Sequence, residues 1–95
     1  MRQILVQYKT KPGLADKNAR LSQAVFSELA DATPAGVRYL VLRLDDDTFV
    51  HFATMEDGAR PITDLTAFQA FQEDIDERCL EPAVVRDATI VGQYP

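Results

Sequence analysis

The stretch Val37-Arg38-Tyr39-Leu40-Val41-Leu42-Arg43-Leu44-Asp45-Asp46-Asp47-Thr48-Phe49-Val50-His51-Phe52-Ala53-Thr54 decides the fold. Both of its halves alternate around β-branched and large apolar residues, and an acidic run divides them. That pattern predicts two strands, 37–44 and 49–54, paired as a hairpin. Immediately upstream, Thr33-Pro34-Ala35-Gly36 stops whatever precedes it, because residues before proline avoid the α region and glycine permits the turn. What precedes it is an amphipathic helix over 15–31. Leu21, Val25, Phe26 and Leu29 share one of its faces, and Asp16 with Arg20 makes an i,i+4 pair on the surface. Further back, Lys11-Pro12-Gly13 ends a strand over 3–9.

Downstream of the hairpin, Met55 to Pro61 reads as a loop through Asp57-Gly58 and its proline. Leu65, Phe68, Phe71, Gln72, Ile75 and Cys79 then keep helical spacing, with Asp74 and Arg78 paired on the other side. After Glu81-Pro82 a run rich in β-branched residues predicts a last strand over 84–94. The order strand, helix, strand, strand, helix, strand is that of a ferredoxin-like α+β unit. Right-handed crossovers place both helices on one face of a four-stranded antiparallel sheet with the first and third strands central. A chain of 95 residues has room for this one domain, 1–95, burying roughly 60 to 65% of its unfolded surface.

Alternation along the strands sorts the side chains into two sets. Ile4, Val6, Tyr8, Leu40, Leu42, Leu44, Val50, Phe52, Ala88 and Ile90 form the set expected to meet the helices. Leu5, Gln7, Val37, Tyr39, Val41, Arg43, Phe49, His51, Ala53, Thr89 and Val91 form the other, which is too apolar for open water. A second copy packed on the face with Val41, Phe49 and Val91 is the economical cover, so a homodimer is expected.

Fifteen acidic against ten basic side chains give a charge of −5, which repels phosphate backbones and anionic lipid surfaces, so neither nucleic acid nor a membrane is an expected partner. The apolar run after Met1 is broken by Gln7 and Lys9 before it reaches the length of a signal or a span, so a cytoplasmic location is expected. Cys79 has no second cysteine with which to form a disulfide or a redox or zinc motif, and reads as a buried, inert thiol. The acidic run lacks the spacing and glycine of a calcium loop. No metal and no cofactor is therefore expected.

Several short segments resemble the antibiotic biosynthesis monooxygenase-like domains of the dimeric α+β barrel superfamily. These are Lys11-Pro12-Gly13, Phe49-Val50-His51-Phe52-Ala53, the spacing of Leu65, Phe68 and Phe71, and the closing Val91-Gly92-Gln93-Tyr94. The resemblance covers almost the whole chain. It implies a homodimeric barrel with a small pocket in each subunit, and members that oxidise quinol-like or polyketide aromatics without metal or flavin. Haem-degrading relatives need a histidine on the second helix and usually a tryptophan. This chain has no tryptophan, and no histidine between Asp57 and Cys79. The scaffold and the pocket carry over; no catalytic residue does.

His51, the only histidine, sits mid-strand, where it suits a proton shuttle near neutral pH or a core histidine bonded across an interface. Tyr39 and Arg43 share its face and fit an anionic or phenolic ligand, or else a network between subunits. Gln7 and Thr89 are peripheral members of the same face. Phe68 and Phe71 suit either the apolar wall of a pocket or plain core packing. Two functions stay open at this level. One is a homodimer binding a hydrophobic, aromatic or quinone-like molecule, with cofactor-independent monooxygenase or isomerase chemistry. The other is a non-catalytic ligand-sensing or structural dimer. An accessible cavity holding His51 with Tyr39 or Arg43 separates them.

Overall fold

The acidic turn sets the frame for everything around it. In the computed structural model, which describes residues 1–59 and 61–95, Asp47 takes the left-handed conformation (φ +64°) and its N–H donates to the Leu44 carbonyl. The Asp46 carboxylate accepts from the Thr48 N–H at 3.0 Å, so the turn's own side chain satisfies its backbone. The strands on either side are β2 (Val37–Arg43) and β3 (Thr48–Met55). They pair antiparallel, with Val41 opposite His51 and Arg43 opposite Phe49. Around them lie β1 (Arg2–Lys9), α1 (Ala15–Ala32), a 3-10 turn (Ile62–Asp64), α2 (Thr66–Glu73), α3 (Ile75–Arg78) and β4 (Val84–Asp87). Of the expected loop from Met55 to Pro61, Arg60 lies outside the described residues.

The sheet has the order β2-β3-β1-β4 with every pair antiparallel, so the first and third strands are central as expected of the ferredoxin-like α+β fold. No helix among the described residues is long and apolar enough to cross a membrane. α1 ends where Thr33 turns left-handed (φ 42°) and donates to the Leu29 carbonyl before Pro34. Gly36 follows at φ +74°. A Cβ there would stand 3.1 Å from the Glu56 side chain, so the chain can enter β2 this close to Glu56 only at a glycine. α2 takes its N-terminal cap from the other helix: the Glu28 carboxylate of α1 accepts from the N–H groups of Thr66 (3.1 Å) and Ala67 (2.8 Å). Replacing Glu28 by alanine is expected to cost about 1 kcal/mol, read as a lower urea midpoint with an unchanged slope.

The assignment of faces needs correction. Val6 pairs with His51 and Tyr8 with Phe49, and directly opposed residues point the same way. Tyr39, Val41, Phe49, His51 and Ala53 therefore lie under the helices with Ile4, Val6 and Tyr8. Leu40, Leu42, Val50 and Phe52, expected on the helix side, point to the open face. Phe49 is 1% exposed and stacks on Tyr8 at 5.7 Å, whereas Leu40 and Leu42 are about half exposed. β1 has the phase expected of it, but apolarity groups Leu40, Leu42, Val50 and Phe52 with it, whereas the β1–β3 register groups Tyr39, Val41, Phe49, His51 and Ala53 with it and sends Leu5 and Gln7 to the open face.

Three smaller departures have equally direct causes. Beyond Asp87, which pairs with Ile4, the chain reaches Gln3 only through the Ala88 N–H on its carbonyl and the Ile90 N–H on its side-chain oxygen, and not as a ladder, because β1 itself begins at Arg2. The last strand therefore stops seven residues short of the expected 84–94, and Thr89, Val91 and Tyr94 are exposed. The expected second helix is interrupted at Asp74 (φ −119°, ψ 23°). Asp16 pairs with Arg43 at 2.9 Å instead of Arg20, and Arg78 turns inward instead of pairing with Asp74.

Candidate functional site

Three rings cross the helix-facing side of the sheet on a diagonal. His51 on β3 is flanked by Tyr8 on β1 and Tyr39 on β2, each one diagonal step from it in register. Tyr8 Oη lies 2.8 Å from His51 Nε2, and Tyr39 Oη lies 2.6 Å from His51 Nδ1. Above Tyr8, the Asn18 amide of α1 donates to Tyr8 Oη at 2.8 Å. Arg78 of α3 donates through Nε to Asn18 Oδ1 at 3.0 Å and through Nη2 to the Phe71 carbonyl. The interruption at Asp74 falls where an unbroken helix would give that carbonyl to the Ile75 N–H. Arg78 is 2% exposed, its guanidinium lies 4.9 Å over the Phe71 ring, and its Nη1 has no partner among the described residues. Five side chains from both layers thus form one continuous chain, Tyr39–His51–Tyr8–Asn18–Arg78.

Burial governs the protonation of this chain. His51, packed against Tyr8, Tyr39 and Phe71, has its pKa pushed down to about 4 by desolvation, so the imidazole is neutral at pH 7. Desolvation pushes the Tyr8 phenol above its ordinary value; the Asn18 hydrogen bond and the Arg78 charge work against that shift without reversing it. Tyr39 is raised by desolvation and by its neighbour Tyr8. Tyr39 and His51 reach a cavity of about 420 Å³ between sheet and helices, walled by Phe68, Phe71, Ile75 and Val85. Its volume lies in the range of small-molecule sites, and the walls are apolar around a few convergent polar groups. Cys79 also lines it, its thiol pushed up by burial. Among the described residues, no three His, Cys, Asp or Glu side chains come together in a group that could hold a metal ion.

Of the residues singled out in the sequence, the structure brings His51, Tyr39, Phe68 and Phe71 to this cavity and leaves three outside it. Arg43 ends β2 at the acidic turn, where Asp47 and Asp16 hold its guanidinium at 2.9 Å each. Gln7, opposite Val50, points to the other face of the sheet. Thr89 lies past the end of the β1–β4 ladder. Three members of the network, Tyr8, Asn18 and Arg78, carried no functional reading, and Arg78 was expected in a surface pair with Asp74. Asn18 falls in the buried α1 series Ala15, Asn18, Ser22, Val25, and Arg78 follows Phe71 and Ile75 at helical spacing. Both lie on inward faces that their polarity argued against. Tyr8 was read only as core.

No family model matches this chain, and no curated protein does. Solved structures match over nearly its whole length. Rv0793 from Mycobacterium tuberculosis superposes with a TM-score of 0.73 at 13% identity, covering 98% of this chain and 97% of that one. A candidate antibiotic biosynthesis monooxygenase from Nitrosomonas europaea gives 0.73 at 13%, covering 98% and 90%. A structure described as an antibiotic biosynthesis monooxygenase gives 0.65 at 18%, covering 97% and 100%. The fold of this chain is the α+β ferredoxin-like fold of those proteins.

Proposed function

We propose that this chain is a homodimeric small-molecule-binding domain. It holds an apolar, aromatic or quinone-like molecule in the helix–sheet cavity, and the monooxygenase activity after which its structural neighbours are described is the chemistry that binding serves. The observation that carries this reading is an imidazole hydrogen-bonded between two phenols beside an apolar cavity of about 420 Å³. A domain that used this layer only for packing would fill the space with side chains. The second copy is supported by the open face, where Leu40 (51% exposed), Leu42 (48%) and Val84 (50%) accompany half-buried Leu5, Val50 and Phe52.

Titration with 1,4-naphthoquinone, followed by amide NMR shifts, is expected to perturb Ala53, Phe68, Phe71 and Val85 together. Shifts confined to Leu40 and Leu42, or none at all, overturn the cavity reading. Dioxygen uptake with 1,4-naphthohydroquinone, above its autoxidation, separates an oxygenase from a ligand-sensing module. Sedimentation at micromolar concentration is expected to give twice the mass of one chain, and the mass of a single chain overturns the dimer.

A further inference from the structure

We propose that Arg78, acting through Asn18, fixes the direction of every hydrogen bond in the chain, so that Tyr39 presents its O–H to the cavity and the site selects ligands carrying a hydrogen-bond acceptor. The inference rests on the cavity being a ligand site and adds which polar group the ligand must bear.

The direction follows from counting protons. Arginine has donors only, so Arg78 Nε must donate to Asn18 Oδ1. The Asn18 amide is thereby oriented, and its Nδ2 donates to Tyr8 Oη. Tyr8 lines the same cavity but is only 5% exposed, and the one acceptor for its hydroxyl proton among the described residues is His51 Nε2. A neutral imidazole that accepts at Nε2 carries its proton at Nδ1, and there it donates to Tyr39 Oη. Tyr39 Oη has then accepted, and its own proton is free in the cavity that Tyr39 lines. A carbonyl satisfies that donor. A hydroxyl does so too, since it accepts as well as donates, whereas a ligand that offers only N–H leaves the Tyr39 proton without an acceptor, unless the whole chain reverses and shifts the unpaired proton to Tyr8, which is only 5% exposed.

Arg78 is a positioning residue here, and replacing one group of Asn18 tests it. Asn18→Asp keeps the acceptor for Arg78 but turns the Tyr8 partner from donor to acceptor. Tyr8 should then donate to the carboxylate and accept from His51 Nε2–H. Because His51 is the sole histidine, its ring ¹⁵N shifts report the tautomer without assignment. The expected result at pH 7 is Nδ1–H in the native chain and Nε2–H in Asn18→Asp. Calorimetry with two probes of similar size reads the consequence: 1-indanone, which only accepts, and indole, which only donates. The native protein should favour 1-indanone by about tenfold and the variant should favour indole by a similar factor. An Nε2–H tautomer in the native chain overturns the proposal, as does an affinity ratio that does not respond to Asn18→Asp while both probes bind. If neither probe binds the native protein, the ligand reading of the cavity falls and takes the selectivity with it, and the tautomer then judges the direction of the chain alone.

Discussion

Acidification from about pH 7 to about pH 4 is expected to weaken the fold by about 3 kcal/mol through His51 alone. Burial holds the folded imidazole at a pKa of about 4, against an ordinary value of 6.5. Between those values the unfolded chain takes up a proton that the folded chain refuses. The stability is therefore complete above the unfolded value, drains away as pH falls through the window, and levels off below the folded value. Measured against the 5 to 15 kcal/mol typical of a domain, a loss of about 3 kcal/mol is large. The window belongs to one residue, because the chain has no other histidine. Asp46, held low mainly by hydrogen bonds from Thr48, and Asp57, held low by the N-terminal amine, give up their contributions only under more acid conditions. Urea melts taken from pH 7 to pH 4 measure the slope, and His51→Phe should flatten it even though that variant is less stable throughout. A native midpoint that does not move across the window refutes a buried neutral imidazole.

Leu42→Asp should abolish the proposed dimer and leave the monomer folded, whereas Val41→Asp, one residue away, should unfold the chain. Leu42 pairs with Val50 on the open face and is half exposed in the single chain. A carboxylate there costs little until a second copy covers it. At that point an unpaired buried charge costs several kcal/mol, weakening association a hundredfold or more by the usual rule of about 1.4 kcal/mol per factor of ten. Val41 pairs with His51 beneath the helices, so its replacement by aspartate puts an uncompensated charge into the core and costs the fold that same amount. Sedimentation and circular dichroism on the two variants separate the effects. A Leu42→Asp protein that stays dimeric shows that copies meet elsewhere, and a folded Val41→Asp monomer shows that the faces are reversed.

How much of this was legible in the sequence differs between the fold and the site. Proline, glycine and the acidic turn mark the element boundaries locally, so the order of strands and helices and the central place of β1 and β3 follow from them. The face on which His51 lies is not a local property. It depends on Lys9 pairing with Thr48, a register set by contacts across the sheet. Grouping Tyr39 with His51 needed only the β2–β3 hairpin and emerged from alternation. Joining Tyr8 to them needed the β1–β3 register and did not. Asn18 and Arg78 were hidden for a different reason. Each is a polar residue on an inward helical face, and its burial makes sense only once the partner from another element is known.

The strand order also has a kinetic side. Only the β2–β3 ladder joins neighbours in sequence; β1 must wait for β3, some fifty residues on, and β4 joins from the far end of the chain with four paired residues. Closing such long loops is slow, so β4 is the natural last arrival in folding and, with so short a ladder, the first segment to detach from the native state. Val85 of β4 is also a wall of the cavity. A brief release of this edge would widen the way into the proposed site without breaking the hydrogen bonds among Arg78, Asn18, Tyr8, His51 and Tyr39. For the ligand site proposed above, the shortest ladder of the sheet would then set the rate of entry, while the hydrogen-bonded chain behind it would set what is kept.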